Sequence, residues 1–306
     1  MRLKGLDLNL LLALDVLLDE RSVSRSAERL HLSQPAMSAA LRRLREYFND
    51  PILKQHGKRM VSTPHALIIH QELKVVLASV EALISKTAFF DSATTSRKFT
   101  ITASDYLAQV IFVPLIKHLR NVAPNIQLEI VPPADSTHEL LSQGSIDLVI
   151  LPEQMISDEF PSELLFEDRF VIVGCQSNPV FTQAMTEETF YTSGHVVVKL
   201  GSRRPISVSD QQLEAHKKSR DTDILVGSFL LAPEMVVGTD RLTVMHERLA
   251  NIFATRVPIV TAPLPFSFPS IKEHVQVHSA RSNDPGIQYI LQKIKEIAIT
   301  KTNPNI

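Results

Sequence analysis

The sequence predicts two fold classes in one chain: an all-α N-terminal segment that closes with a small basic hairpin and a long helix, and a C-terminal α/β region in two lobes. Three observations predict this. Apolar residues recur at helical spacing up to about residue 83, strands alternate with helices from residue 97 onward, and positive charge gathers at the N-terminus. Residues 1–62 hold 11 Lys/Arg against 7 Asp/Glu, net +4, which leaves net −5 on the other 244 within a total of −1. Such asymmetry is expected where one end of a chain meets phosphates and the other does not.

Length and composition bound the alternatives. A chain of 306 residues has room for about two domains, and 44% apolar with 21% charged residues is the balance of a globular protein, not a disordered one. Asp7, Asp15, Asp19 and Glu20 interrupt the apolar run that a secretion signal needs, and no later segment reaches the ~18 uncharged apolar residues of a membrane span. Cys175 is the single cysteine, so no intrachain disulfide forms. The expectation is a cytoplasmic protein.

Taken in order, Asp7 caps a helix with Leu10, Leu11, Leu14, Leu17 and Leu18 at helical spacing, ending near Glu20. A second helix runs from about residue 23 to 30, burying Ala27 and Leu30, and His31-Leu32 makes the turn. Ser33 caps a third, with Pro35 in the first turn, where a missing N–H costs nothing. Met37, Leu41, Leu44 and Phe48 form its inner face, and Gln34, Ser38, Arg42 and Arg45 its outer one. Residues 52–54 and 59–61 read as short strands around His56-Gly57-Lys58. Ala66, Ile69, Leu73, Val76, Val80 and Leu83 then alternate at spacings of three and four, a coiled-coil stripe of just under three heptads. The stripe predicts a dimerising helix with Ile69, Leu73, Val76, Val80 and Leu83 in its seam; a helix packed on its own domain shows the same pattern.

From residue 97, strands at 99–103, 126–131 and 146–151 alternate with helices at 106–121 and 137–143. A second lobe begins near Phe166, with strands at 170–175, 195–199, 224–226 and 242–244 and helices at 209–217, 229–237 and 247–253. The Pro-rich stretch 258–269 reads as an extended connection between lobes, and a last helix at 285–299 returns to the first. The domain boundaries predicted are 1–63, 64–90 and 91–306, with lobe I at about 97–165 and 271–300 and lobe II at about 166–270.

Three helices with a basic hairpin have a direct mechanical reading as a winged helix-turn-helix. The third helix enters the major groove, where Gln34 bonds adenine, Ser38 reaches a neighbouring base, and Arg42 and Arg45 meet phosphates. A solvated helix start explains Ser33 and Gln34 alone equally well. The segment Ala27-Glu28-Arg29-Leu30-His31-Leu32-Ser33-Gln34-Pro35-Ala36-Met37-Ser38, followed by Leu41-Arg42-Arg43-Leu44-Arg45, closely resembles the helix-turn-helix signature of LysR-type transcriptional regulators. The likeness extends through Leu6-Asp7-Leu8-Asn9-Leu10-Leu11, Asp50-Pro51-Ile52-Leu53, Gly144-Ser145-Ile146-Asp147-Leu148 and Asp284-Pro285-Gly286. Within that family the chain looks most like the branch of nodulation regulators and regulators of aromatic degradation.

The resemblance implies a DNA-binding regulator, an activator that engages RNA polymerase, assembled as a homodimer or homotetramer. Two-fold symmetry in turn implies an interrupted palindromic operator in double-stranded DNA. Many relatives place an arginine where this chain has Gln55, so Lys54, Lys58 and Arg59 must supply the wing's charge, and His65 stands where relatives often have glycine. The C-terminal region is expected to resemble a periplasmic binding protein, with a small phenolic or carboxylated aromatic inducer held between its lobes. Ser104-Asp105, directly after a strand, occupies the place where such folds hold ligands, although a helix cap explains the pair as well. Gly201-Ser202-Arg203-Arg204 is a small basic loop, Phe229 begins a helix, and Arg248 follows a strand end. By resemblance Ser104, Asp168, Phe229 and Arg248 line the pocket, with Asp105, Gly201, Ser202 and Arg203 beside them. An apolar cleft with one or two arginines suits a phenolate or benzoate, and Arg203 and Arg204 fit a surface ion pair equally.

An enzyme is not expected. The chain has no phosphate-binding Gly loop, Gly-x-Ser-x-Gly elbow, paired CxxC or His-Glu-x-x-His, and neither cofactor nor metal is implied. Cys175 sits in an apolar run as a structural thiol. A plain solute-binding protein accounts for two lobes but not for the first 90 residues.

Overall fold

The computed structural model describes residues 6–57, 59–85, 90–199, 207–215 and 220–300. The chain divides into two compact units, the first made of Met1–Phe89, His138–Ile146 and His278–Pro285, the second of Phe90–Thr137, Asp147–Val277 and Gly286–Ile306.

The first unit opens with α1 (Leu8–Glu20), α2 (Val23–Arg29), α3 (Gln34–Phe48), β1 (Leu53–His56), β2 (Arg59–Ser62) and α4 (Pro64–Ser85). Each of the first three helices starts where a side chain satisfies an orphan N–H. Asp7 accepts from Leu10 at 2.8 Å, Ser22 from Arg25 and Ser33 from Ala36. Their apolar stripes meet in one core of Leu10, Leu14, Leu17, Ala27, Met37, Leu41 and Leu44, closed below by Ile52 and Leu53. The strands pair antiparallel, Lys54 opposite Val61, around Gly57 at φ +62°. Ile52, read from the sequence as a strand residue, instead sits in a left-handed turn.

The stripe along α4 is not one seam. Ala66 and Leu73 are buried in the core of their own unit, so Leu73 is corrected from the predicted dimer seam to that core, and Ile69 is half-buried against it. Val76 is 47% and Leu83 66% exposed, and Val80 is half-buried. Two physical reasons account for the split. The first half of the helix lies along α1, tied there by His70 Nε2 on Asp15 at 2.9 Å and Lys74 on Asp19 at 3.4 Å. An α-helix of 3.6 residues per turn also drifts away from a 3.5-residue repeat, so a stripe that begins on one neighbour ends facing elsewhere.

The second unit carries β3 (Arg97–Thr102), β4 (Ile126–Val131), β5 (Leu148–Pro152), β6 (Ser162–Asp168), β7 (Phe170–Cys175), β8 (Gly194–Val198), β9 (Asp221–Val226), β10 (Leu242–His246), β11 (Ile259–Ala262) and β12 (Ile271–Gln276). They form two five-stranded sheets, ordered β4-β3-β5-β12-β6 and β11-β7-β10-β8-β9. β3 lies parallel between β4 and β5, and β12 runs antiparallel between β5 and β6. The helices from residue 105 onward are α5 (Asp105–Leu107), α6 (Val113–Val122), α7 (Thr137–Ser142, in the first unit from His138), α8 (Glu187–Thr192), α9 (Val208–Ala215), α10 (Ala232–Val236), α11 (Glu247–Ala254) and α12 (Pro285–Ile299, in the second unit from Gly286).

α5 runs into α6 through a π-helical turn, Ala108–Phe112. Pro114 explains it: an α-helical pattern would direct the Val110 carbonyl at an N–H that proline lacks, and widening the turn lets Val113 donate to Ala108 instead. Gly286 lets α12 start hard against the first sheet, because a Cβ there would come within 3.0 Å of the Phe99 ring.

Three sequence expectations differ from the fold. The lobe change comes at Arg169, between β6 and β7, not near residue 166, because β6 pairs with β12 in the first sheet. The stretch 258–269 is not wholly a connection, since β11 pairs with β7; its short span between Pro258 and Pro263 is the form a proline-bounded edge strand takes. Phe229 precedes α10 in a loop and does not begin the helix.

Candidate functional site

Two groups of side chains have the makings of a site, one in each unit. In the first, Ser33, Gln34, Pro35, Ser38 and Arg42 are all exposed along one face of α3, while Met37, Leu41 and Leu44 hold the opposite face to the core. Arg42 has no partner among the described residues. Arg45 is different: Nε donates to the Pro51 carbonyl at 2.8 Å and Nη2 to that of Leu53 at 3.1 Å. Lys54 and Arg59 are exposed on the hairpin, and Lys58 lies outside the described residues. The result is an exposed polar and cationic helix face and hairpin, residue types that suit a groove lined with phosphates.

Asp15, Asp19 and His70 bring their ligand atoms within 4.8 Å of one another. Arg29 at 3.3 Å and Lys74 at 3.4 Å already neutralise Asp19, so this cluster is an ion-pair network between helices and no metal is assigned to it.

In the second unit the predicted effector residues meet where the strands of the two sheets end. Ser104 caps α5 by accepting from Leu107 at 3.3 Å. Asp105 accepts the Ser228 hydroxyl proton across the seam at 2.5 Å. Asp168 is fully engaged: it accepts from the Tyr106 hydroxyl at 2.6 Å and from the backbone N–H of Arg169 at 2.9 Å and of Arg248 at 3.3 Å. Arg248 donates to the Ala298 carbonyl at 2.7 Å and lies over the Phe166 ring at 4.2 Å. Phe229 is buried, edge-on to His246 at 5.0 Å. Gly201, Ser202, Arg203 and Arg204 lie outside the described residues.

Three further members of the seam were missed in the sequence. The Tyr106 ring stacks on His246 at 3.7 Å and 8°, joining first lobe to second. His246 stands at the C-terminal end of β10, the position where ligands of open α/β sheets gather, and that was the available signal. Glu273 is 2% exposed on β12, with Oε2 unpartnered. It shares a face with Ile271 and Val275, a carboxyl at a core position, which marks a strand that periodicity alone did not separate from the loop.

Burial governs the protonation of this group. Glu273 is pushed up to about 8 by burial and then by the charge of Asp168, so it is largely a neutral acid at pH 7. His246 is driven down to about 3 by burial and stays a neutral imidazole. Burial also raises Asp168, against the lowering by its hydrogen bonds, and raises Tyr106 well above the ordinary phenol. The seam therefore offers stacked rings, one protonated carboxyl and one bonded carboxylate. These are groups that can bind and orient a ligand by stacking and hydrogen bonding. Cys175 is buried and accepts from the Gly238 N–H at 3.2 Å, a structural setting.

No helix among the described residues is long and apolar enough to cross a membrane. The bacterial regulatory helix-turn-helix protein, lysR family, matches residues 8–67, and the LysR substrate binding domain matches residues 92–298. Nodulation protein D 2 of Bradyrhizobium elkanii is 39% identical over 285 residues, 93% of this chain and 86% of that one. Nodulation protein D 2 of Sinorhizobium fredii is 36% identical over 304 residues, 99% of this chain and 97% of its own. A full-length OxyR variant from Pseudomonas aeruginosa shares the fold at a TM-score of 0.72 and 17% identity, over 95% of each chain. The exposed recognition face, the two-sheet sensor region and these likenesses agree: the chain belongs to the lysR family of bacterial regulatory helix-turn-helix proteins and is a ligand-responsive transcriptional regulator, not an enzyme.

Proposed function

We propose that this regulator is a cytoplasmic activator whose inducer is a small phenolic or carboxylated aromatic compound, bound at the seam of Tyr106, His246 and Phe229. The observation that carries the reading is the stack of neutral rings at the strand ends, flanked by Asp168, the protonated Glu273 and Arg248. Aromatic faces accept a ring, the neutral acid donates to a phenolate or carboxylate, and the arginine adds charge-assisted bonding. Ser104 and Asp105 border this seam. The relatives' name, nodulation protein D, favours a symbiosis-type operon over a catabolic one as the target.

On DNA, Gln34 and Ser38 read bases with Ser33 and Pro35 setting the helix start, while Arg42, Lys54, Lys58 and Arg59 meet phosphates. Val76, Val80 and Leu83 pair with a second copy, giving a homodimer or a tetramer of two dimers on an interrupted palindrome, positioned to engage RNA polymerase. The test has two arms on the full chain. Selection from randomised duplexes should enrich two half-sites of inverted symmetry. Calorimetry with a panel of substituted phenols and benzoates should find binders, and Phe229→Ala should weaken them; a panel without a single binder removes the aromatic inducer.

A further inference from the structure

We propose that Arg45 and Asp50 are positioning residues that set the wing against the recognition helix, and that Arg45 acts through the wing's backbone and not on a DNA phosphate. The inference rests on the DNA-binding reading above and deepens it, because an exposed arginine on the outer face of a recognition helix is otherwise counted as a phosphate contact.

The segment Pro51-Ile52-Leu53 joins that helix to β1, and its backbone polar groups are fully accounted for. Pro51 has no N–H; its carbonyl accepts from Arg45 Nε at 2.8 Å and from the Leu53 N–H at 2.6 Å. The Ile52 N–H donates to Asp50 Oδ1 at 2.7 Å, and the Ile52 carbonyl accepts from the Thr63 N–H at 3.0 Å. The Leu53 carbonyl accepts from Arg45 Nη2 at 3.1 Å. Asp50 Oδ1 also takes the Thr63 hydroxyl at 2.6 Å, so one carboxylate oxygen pins both ends of the hairpin.

Between these clamps Ile52 is fully buried at φ +61°, a conformation a β-branched residue rarely adopts. Surrounding structure must over-determine such a backbone, and the side chains that do so are Arg45 and Asp50. Arg45 therefore spans the carbonyls on either side of the strained residue, and Asp50 holds its N–H from the other side. The wing's cations, Lys54 and Arg59, are carried on the strands that this clamp aims.

Substitution separates geometry from charge. In Arg45→Gln the amide nitrogen sits where Nε sat and keeps the bond to Pro51 without a charge; Arg45→Met keeps neither; Arg45→Lys keeps the charge without the fork. Binding of the full chain to a duplex enriched by the wild type, and to a scrambled duplex of equal length, is measured from 50 to 200 mM salt. The brace predicts that Arg45→Gln lowers the salt slope by much less than the change of about 0.9 for one phosphate contact, and that Arg45→Met and Arg45→Lys both lose roughly tenfold on the enriched duplex, the scale of one or two hydrogen bonds. A slope lower by about 0.9 in Arg45→Gln, the mark of one lost phosphate contact, together with full affinity in Arg45→Lys, overturns the proposal.

Asp50 gives an independent sign. Removing a negative charge beside DNA strengthens binding by itself, so weaker binding in Asp50→Ala and undiminished binding in Asp50→Asn, which retains the acceptor, support the brace. Stronger binding in Asp50→Ala refutes it. Should Asp50→Ala fail to fold by circular dichroism, Thr63→Val takes its place; it removes the bond to Asp50 together with the cap on the Ala66 N–H at 3.0 Å and changes no charge, so weaker binding to the enriched duplex supports the brace and unchanged binding refutes it. A wild-type chain that enriches no duplex would count against the DNA-binding reading, not against the brace.

Discussion

Replacing Glu273 by glutamine should stabilise the sensor region by an amount that grows with pH. The carboxyl is 2% exposed, and its folded pKa rises from 4.5 to about 8. Below pH 4.5 both folded and unfolded chains hold the proton, and nothing is lost. Between pH 4.5 and about 8 the unfolded chain releases it while the folded chain retains it, so stability falls by about 1.4 kcal/mol per pH unit. At pH 7 the deficit is about 3 kcal/mol, and above pH 8 it levels off. Glutamine keeps the shape and cannot ionise. Any fixed penalty for its amide shifts the whole curve without tilting it, so the slope is the signal. The assay is thermal unfolding of full-length wild type and Glu273→Gln at pH 5, 6, 7 and 8, followed through the sensor transition. At about 2–4 °C per kcal/mol for a region of this size, the melting temperatures should diverge by roughly 6–12 °C between pH 5 and 8. Parallel curves would show that Glu273 ionises normally in the fold and would refute the reasoning.

Other outcomes follow from burial and partners. Leu73→Asp should unfold the N-terminal core, because Leu73 is 4% exposed there, whereas Leu83→Asp should leave the fold intact and shift sedimentation towards monomer; the reverse pattern would return Leu73 to a dimer seam. Gln34→Ala should lose about 1–3 kcal/mol on an enriched duplex and little on a scrambled one, and equal losses on both would make Gln34 a positioning contact. His246 has a folded pKa depressed to about 3 from 6.5, so its burial costs stability progressively as pH falls below 6.5; His246→Gln should flatten the acid limb of the melting curve, and an unchanged limb would contradict its burial as a neutral ring.

What could be read from the sequence was local. The caps at Asp7 and Ser33, the inner face of Met37, Leu41 and Leu44, and the parallel strands of the first lobe depend on neighbours a few residues apart, and each is where its pattern put it. β6 and β12 depend instead on each other across more than a hundred residues, and the alternation in β12 is obscured because a core position carries Glu273. Leu73 was misplaced in the α4 stripe for a related reason: spacing shows that a face is apolar but not what covers it. Arg45 illustrates the limit on the site side. Its place on the outer face of α3 was legible, yet its partners are carbonyls of Pro51 and Leu53, fixed by a turn whose left-handed residue is an isoleucine that no turn preference would nominate.

The chemistry of the seam also bears on how a small molecule could switch the domain. The Tyr106–His246 stack contributes about 0.5–1.5 kcal/mol, and bonds such as Tyr106 to Asp168 and Ser228 to Asp105 contribute about 1.5–3 kcal/mol each where the acceptor is charged. The stack and the Ser228–Asp105 bond join the two lobes, the Tyr106–Asp168 bond lies within the first, and at the strand ends the three total several kcal/mol. A ligand that moves a two-state equilibrium from 1:99 to 99:1 must discriminate between the states by about 5.5 kcal/mol. The two quantities are of one order, so under the function proposed above an aromatic inducer that substituted its own ring and anion for Tyr106 and Asp168 would supply differential affinity of the size that rearranging the seam requires. A seam of purely apolar contacts would be no harder to open, but it would select for size alone. With a neutral acid, a bonded carboxylate and an arginine placed around the rings, the site proposed above would favour ligands that carry both a ring and an acceptor of hydrogen bonds.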